Sequence, residues 1–159
     1  MSLRIGYSVL LMAALWLTAC DTASNSGGNA VTKVVSTTSF GMCVGYCSTR
    51  LEIVRGEAVL VRDGRSGRGG GTRPDQRFST PLSDAEWQEI ATLAAETKIG
   101  SLPDVIGCPD CADGGAETLT IESAGRSKTI KFDHGAKIEE AATLLERVRA
   151  LRVKLTPAE

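Results

Sequence analysis

The stretch TLTIESAGRSKTIKF, from Thr118 to Phe132, decides the fold. Apolar and polar residues alternate in both of its halves, which is the pattern of strands that bury one face. Ala124 and Gly125 separate the two halves and predict a tight turn. The stretch therefore predicts a β-hairpin with a single buried face. The side chains expected on that face are Leu119, Ile121, Ile130 and Phe132.

Two further β-rich regions lie nearer the N-terminus. RLEIV (Arg50–Val54) and AVLVR (Ala58–Arg62) flank a short turn at Gly56, and this arrangement predicts a second hairpin. VTKVVSTTSF (Val31–Phe40) is rich in β-branched residues and predicts another strand. The long segment that follows, DGRSGRGGGTRPDQR (Asp63–Arg77), has no apolar period and is expected to be a loop.

Two segments have helical periodicity. In PLSDAEWQEI, Ser83 can cap a helix and Glu86 can complete a capping box, with Gly100 as the expected stop. AKIEEAATLLERVRALRVKL (Ala136–Leu155) predicts a second helix, on which Arg149 is expected to face water. The expected buried stripe consists of Ile138, Ala141, Ala142, Leu145 and Val148. Hairpins separated by helices predict an α+β domain, an antiparallel sheet built from hairpins with two helices packed on one face.

The first residues read as a targeting signal. A short basic start with Arg4, an apolar run too short to span a bilayer and a small-residue site are typical of a secretory signal peptide. The site Leu17-Thr18-Ala19-Cys20 resembles the lipobox of bacterial lipoproteins, in which the cysteine is acylated, with palmitate among the attached chains. The resemblance implies cleavage before Cys20 and membrane attachment through its lipid.

These features predict the organisation of the chain. We expect a signal peptide at 1–19, a lipidated cysteine with a flexible Ser/Gly/Asn-rich tether at 20–31, and one domain at 32–159. The protein is then expected in the bacterial cell envelope, facing the periplasm or the exterior. Asp21 would favour inner-membrane retention by the rule of enteric bacteria, but that rule varies between lineages, and the choice between the two membranes stays open.

Four cysteines follow the lipobox, in two close pairs. Export places them in an oxidising compartment, so we expect disulfides. Gly45 and Pro109 are turn-formers inside the pairs and favour local bridges, with bridges between the pairs as the alternative. Thiol-redox catalysis at the second pair, or a zinc site made by all four thiolates, are the competing interpretations. The cysteines are Cys43, Cys47, Cys108 and Cys111.

Other chemistry is weakly marked. The net charge of −1 gives no reason to expect a nucleic-acid partner. The only histidine, His134, ends a strand and is expected to be a polar turn residue rather than a catalytic base. No G-x-S-x-G elbow, P-loop or dinucleotide fingerprint is present, so we favour a non-enzymatic domain without a cofactor, with a thiol-redox enzyme as the alternative. The long loop is locally basic and could contact an anionic surface. Its arginines are Arg62, Arg65, Arg68, Arg73 and Arg77.

The cysteine motif also carries a family resemblance. GMCVGYC leading into a strand, a hairpin, the S-x-x-E helix and the TLTI strand is similar to a bacterial domain family of unknown function. That family occurs in lipoproteins and secreted proteins and is marked by G-x-C-x-G-x-C. The resemblance covers most of residues 34–153, although many members have proline where this chain has Ser48. It implies the same fold and no particular activity. We therefore expect a lipid-anchored binding or structural domain at the membrane surface, with an envelope protein or ligand as its partner.

Overall fold

The alternating segments form one sheet in the computed structural model, which describes residues 30–65 and 71–157. The strands are β1 (Val31–Ser39), β2 (Ser48–Val54), β3 (Glu57–Asp63), β4 (Gln76–Pro81), β5 (Val105–Ile106), β6 (Ala116–Ser123) and β7 (Arg126–Asp133). Their order within the described residues is β4-β3-β2-β1-β6-β7-β5, and only β5 and β7 pair in parallel.

Both predicted hairpins are confirmed. Leu119 pairs with Ile130 across β6 and β7, and Leu51 pairs with Leu60 across β2 and β3. These four side chains are fully buried. One face of the sheet therefore carries the apolar residues that the alternation predicted.

Two strands were missed by sequence reasoning. The expected loop ends early, because β4 begins at Gln76 and pairs with β3. Phe78 is the only large apolar residue in β4, and it lies opposite Leu60, so the sequence carries little alternation signal there. The two-residue β5 is too short to be recognised from a pattern.

The first helix, α1 (Asp84–Glu96), has the predicted capping box. The backbone N–H of Glu86 donates to the Ser83 hydroxyl, and the Glu86 carboxylate accepts from the Ser83 backbone N–H at 2.9 Å. The predicted stop at Gly100 is wrong. The helix ends at Glu96, and the hydroxyl and the N–H of Thr97 both donate to the Leu93 carbonyl, which satisfies the end of the helix.

The second helix, α2 (Ala142–Leu155), begins later than predicted. Ile138 has an extended backbone, and Glu139–Ala141 form one turn of 3₁₀ helix before α2. Both helices cover the same face of the sheet, as expected. The α+β class is thus confirmed. The buried residues that the helices contribute include Trp87, Ile90, Ala94, Leu144, Leu145, Val148 and Leu151.

All residues of this apolar core and those packed against it lie between Val31 and Leu155. A chain that begins at Ala30 therefore retains the whole described core, and we expect it to fold without the preceding segment. None of the helices within the described ranges is long and apolar enough to cross a membrane.

The two ends of the sheet differ. We call the end where β1 starts, at Val31, the tether end, after the tether that the sequence predicts before it; the turns at Gly56 and Gly125 lie there too. We call the opposite end the disulfide end, because β1 leads at Ser39 directly into the loop that holds the first disulfide. The nine residues of β1 separate the two ends by about 27 Å at the usual rise of a strand.

Candidate anion-binding cleft

The predicted basic patch is not a single surface among the described residues. Arg65 is neutralised by Asp63, whose carboxylate it contacts at 2.5 Å. Hydrogen bonds from the Arg65 side chain and backbone lower the pKa of Asp63 to about 2. Arg77 alternates with the core-facing Phe78 and so lies on the opposite face of the sheet. Arg68 lies outside the described residues.

The other two arginines come together on Tyr46, in the loop between β1 and β2. The guanidinium carbon of Arg62 is 4.6 Å from the centroid of the tyrosine ring, and that of Arg73 is 5.3 Å from it. These distances are typical of cation–π contacts. The two positive groups therefore lie within about 10 Å of each other although their charges repel.

Local contacts fix the aromatic ring and the first arginine. The Tyr46 hydroxyl donates to the Pro74 carbonyl at 3.1 Å. An Arg62 N–H donates to the Gln76 side-chain oxygen at 3.4 Å. Arg62 continues the core-facing row of β3 beyond Leu60, so regular strand geometry directs it toward the cleft.

The backbone at Gly64 positions the second arginine. The N–H of Arg73 donates to the Gly64 carbonyl at 2.9 Å, and the Asp75 side chain accepts from the Gly64 N–H at 2.8 Å. A Cβ at Gly64 would overlap the carbonyl of Arg73. Only glycine permits this close approach, which holds Arg73 beside the end of β3.

These side chains line an open cleft of about 500 Å³ at the disulfide end. No acidic side chain is among the described residues that line it. The lining includes Val44, Tyr46, Arg62, Arg73, Gln76 and Pro157. Guanidinium groups bind carboxylate and phosphate with charge-assisted hydrogen bonds, so the chemistry of the cleft suits an anionic group.

The first disulfide shapes one wall of the cleft. The structure joins Cys43 to Cys47, with Cα atoms 5.5 Å apart, and the Phe40 N–H donates to the Cys47 carbonyl at the base of the loop. Gly45 has a positive φ of 109°, which lets the chain turn inside the bridge. The loop exposes Val44 at the rim of the cleft.

The second disulfide lies beside the first. Cys108 is joined to Cys111, again with Cα atoms 5.5 Å apart, and its backbone N–H donates to Asp133 at the end of β7. Both bridges are thus local in the structure, as the turn-formers favoured. The second is further held by the Asp110 side chain, which accepts from the Gly41 N–H at 3.4 Å and links the two loops.

The competing cysteine interpretations gain no support from this geometry. Within the described residues, no group of three or more His, Cys, Asp or Glu side chains is placed to hold a metal ion. His134 lies in the turn after β7 and packs edge-on against Phe40, with ring centroids 4.8 Å apart. All four cysteines of the described residues are bridged, so none of them offers a thiol to it.

A buried ionic cluster lies between β1, β6 and α2. Glu117 is only 1 % exposed, and its carboxylate accepts from Arg149 at 2.7 Å and from Arg152 at 3.1 Å. Arg152 also donates to the buried Ser36 hydroxyl, and Arg149 donates to the Ala136 carbonyl at 2.8 Å. Arg149 therefore faces water only in part, since its side chain is 30 % exposed while its charge pairs with a buried carboxylate.

The electrostatics of this cluster favour the ionised carboxylate. Burial raises the pKa of Glu117, but the hydrogen bond from Arg149 and the charge of Arg152 outweigh it, so the net pKa lies below its usual value. Burial lowers the pKa of Arg152, and the attraction of Glu117 opposes this. Arg152 Nε is buried without a hydrogen-bond partner among the described residues. The cluster secures α2, which ends at Leu155, two residues before Pro157 in the lining of the cleft.

Sequence reasoning did not identify Tyr46, Gln76 or the Glu117 cluster. One signal for Tyr46 was present, because an aromatic residue beside Cys47 in a short bridged loop has little room to be buried. The glutamate gave no signal, since Glu117 only continues the alternation of β6 toward the core.

Known proteins do not add to this description. No protein-family model matches the chain, and no curated protein matches it. The lipobox at Cys20 lies outside the described residues, and both it and the resemblance to the G-x-C-x-G-x-C family stay predictions.

Proposed function

We propose that this protein is a lipid-anchored domain of the bacterial cell envelope that binds an anionic group in the cleft around Tyr46. The observation that carries the proposal is the placement of Arg62 and Arg73 over one aromatic ring. The signal-like N-terminus and Cys20 support the envelope location. The paired cysteines support it too, because disulfides persist in exported proteins.

The charge distribution around the cleft supports anion binding. The nearby acids are engaged elsewhere, Asp63 with Arg65 and Asp75 with the backbone of Gly64. A bound carboxylate or phosphate would reduce the repulsion between the two guanidinium groups and accept hydrogen bonds from them. An anion in the cleft would therefore interact with both guanidinium groups at once.

Tyr46 offers a direct readout of binding. The chain has two tyrosines, and the other, Tyr7, is absent from a form that begins at Ala30. In this form we expect the ring NMR signals of Tyr46 to shift saturably when pyrophosphate is added at low ionic strength. Arg73→Ala should weaken binding at least tenfold, since charge-assisted hydrogen bonds contribute about 1.5–3 kcal/mol.

Arg77→Ala is the matched control. It removes the same charge from the same region, but from the opposite face of the sheet, and should leave the titration almost unchanged. Equal weakening in the two variants would show that only net charge matters. A wild-type ring signal that does not respond to pyrophosphate would contradict binding in the cleft.

A further inference from the structure

We infer that the cleft and the adjoining loop at Met42–Val44 form one surface for a polypeptide segment in which an acidic side chain stands beside an apolar one. This inference rests on the proposed anion binding and specifies its partner. The acidic group would enter between Arg62 and Arg73, and the apolar neighbour would cover Val44.

The apolar part of this surface is unusual on the molecule. Val44 is 85 % exposed and Met42 is 61 % exposed. Among the described residues only two other large apolar side chains, Val105 and Val153, are comparably exposed. The Cys43–Cys47 bridge restrains the loop, so a partner that covers it pays little conformational entropy for ordering it.

A bilayer surface fits these observations less well. The cleft lies at the disulfide end, about 27 Å along β1 from the tether end, so a membrane that holds the N-terminus is at the wrong end of the sheet. Two basic side chains also strengthen attachment to an anionic bilayer by only about 30-fold in all. The cleft is concave, so a single side chain can enter it, whereas a flat lipid surface cannot.

A phosphate-rich or sugar polymer would use only half of the surface. Such a chain could satisfy Arg62 and Arg73, but it offers no apolar group for Val44 and Met42. A protein segment supplies both kinds of contact within neighbouring residues. Charge and apolar exposure together therefore favour a polypeptide.

The test measures fluorescence anisotropy of labelled peptides with the chain that begins at Ala30. The probe has the central sequence Leu-Glu-Leu in a Gly/Ser context, and its comparators have Leu-Gln-Leu or Ser-Glu-Ser. We expect the probe to bind at least tenfold more tightly than either comparator. Pro157 lines the cleft, so the titration is repeated on a chain that ends at Pro157 as a control for the residues that follow it.

Variants separate the two kinds of contact. Arg73→Ala should weaken the Leu-Glu-Leu probe at least tenfold, whereas Val44→Ser should remove only its advantage over Ser-Glu-Ser. Arg77→Ala should change neither the affinity of the Leu-Glu-Leu probe nor its advantage over Ser-Glu-Ser. Urea unfolding of each variant establishes that it is folded, and Arg73→Lys, which keeps the charge, provides a second variant if Arg73→Ala unfolds.

The outcomes distinguish the inference from the proposed function. If Ser-Glu-Ser binds as tightly as the probe and both depend on Arg73, anion binding stands and the polypeptide surface is refuted. If Leu-Gln-Leu binds equally well, the acidic contact is refuted. If the protein binds vesicles of phosphatidylglycerol more tightly than any peptide, the polypeptide partner is refuted and a membrane is the partner. No binding of pyrophosphate or peptide would overturn both proposals.

Discussion

Neutralising Glu117 should destabilise the domain far more than neutralising a glutamate at its surface. Glu117→Gln keeps the shape of the side chain but leaves Arg149 and Arg152 without their shared counter-ion. Removing one partner of a buried ion pair costs about 3–5 kcal/mol. We therefore expect the free energy of unfolding to fall by that amount, and the melting temperature to fall by on the order of 10–20 °C for a domain of this size.

The same strand provides the control. Glu122 also forms an ion pair, with Lys33 at 3.4 Å, but both side chains are about one-third exposed. Exposed pairs contribute about 0.2–1 kcal/mol, so Glu122→Gln should be nearly neutral. Urea titration can be followed by the fluorescence of Trp87, which is 3 % exposed and is the only tryptophan once residues before Ala30 are removed.

The free energy of unfolding should depend on pH in a direction set by the pKa of Glu117. Because the pKa of Glu117 is lower in the folded protein, its contribution is present above the ordinary value of 4.5 and is lost as pH falls through the folded pKa. The stability difference between wild type and Glu117→Gln should therefore shrink below pH 4.5. A difference that stays constant to lower pH, or equal losses in Glu117→Gln and Glu122→Gln, would refute an ionic role for the cluster.

Three further predictions concern other parts of the chain. Cys20→Ala should abolish acyl labelling and leave an unprocessed precursor, and normal processing to a soluble product would exclude a lipoprotein. Replacing Cys108 and Cys111 together by alanine should cost about 2 kcal/mol, the chain-entropy value for so short a loop, as measured by urea unfolding. Peptide mapping of that double variant should still find the other bridge, whereas a fragment linking the two pairs in wild type would contradict local pairing. Ser83→Ala should cost about 1 kcal/mol through loss of the capping box, and an unchanged urea midpoint would show that the cap is dispensable.

The predictability of the fold follows from where the apolar residues are. Leu119 and Ile130 alternate in a clean period of two, so the central hairpin was readable from the sequence. Edge strand β4 needs only Phe78 for its contact with the core, and most of its pairing is made by backbone groups that any residue supplies. The end of α1 differs from the predicted one because the hydrogen bond from Thr97 to the Leu93 carbonyl ends the helix before Gly100.

The site was only half predictable, for a different reason. The basic composition of the loop after β3 was visible, but charge in a sequence does not tell which arginine has an acidic neighbour. Arg65 and Arg73 each have an aspartate two residues away in the sequence. Arg65 pairs with Asp63, whereas the Arg73 backbone bonds to Gly64 and its side chain lies over Tyr46. The bond from Arg73 to Gly64 and the pairing of β3 with β4 bring Arg73 to the cleft, and β4 was one of the two strands that sequence reasoning missed.

The core-facing rows of the sheet explain why the cleft lies at the disulfide end. Along β2 the row changes from Ile53 and Leu51 to Thr49, and along β6 from Leu119 to Glu117. Hydrogen bonds replace apolar packing there, which would leave this end less strongly held. Both disulfides are placed where that replacement occurs, so covalent bonds maintain the loops that the core does not reach. Apolar packing continues at this end on β7, where Phe132 lies opposite Glu117 and is fully buried. Burial and the two disulfides therefore hold the disulfide end together, and the loops beyond it expose Met42 and Val44.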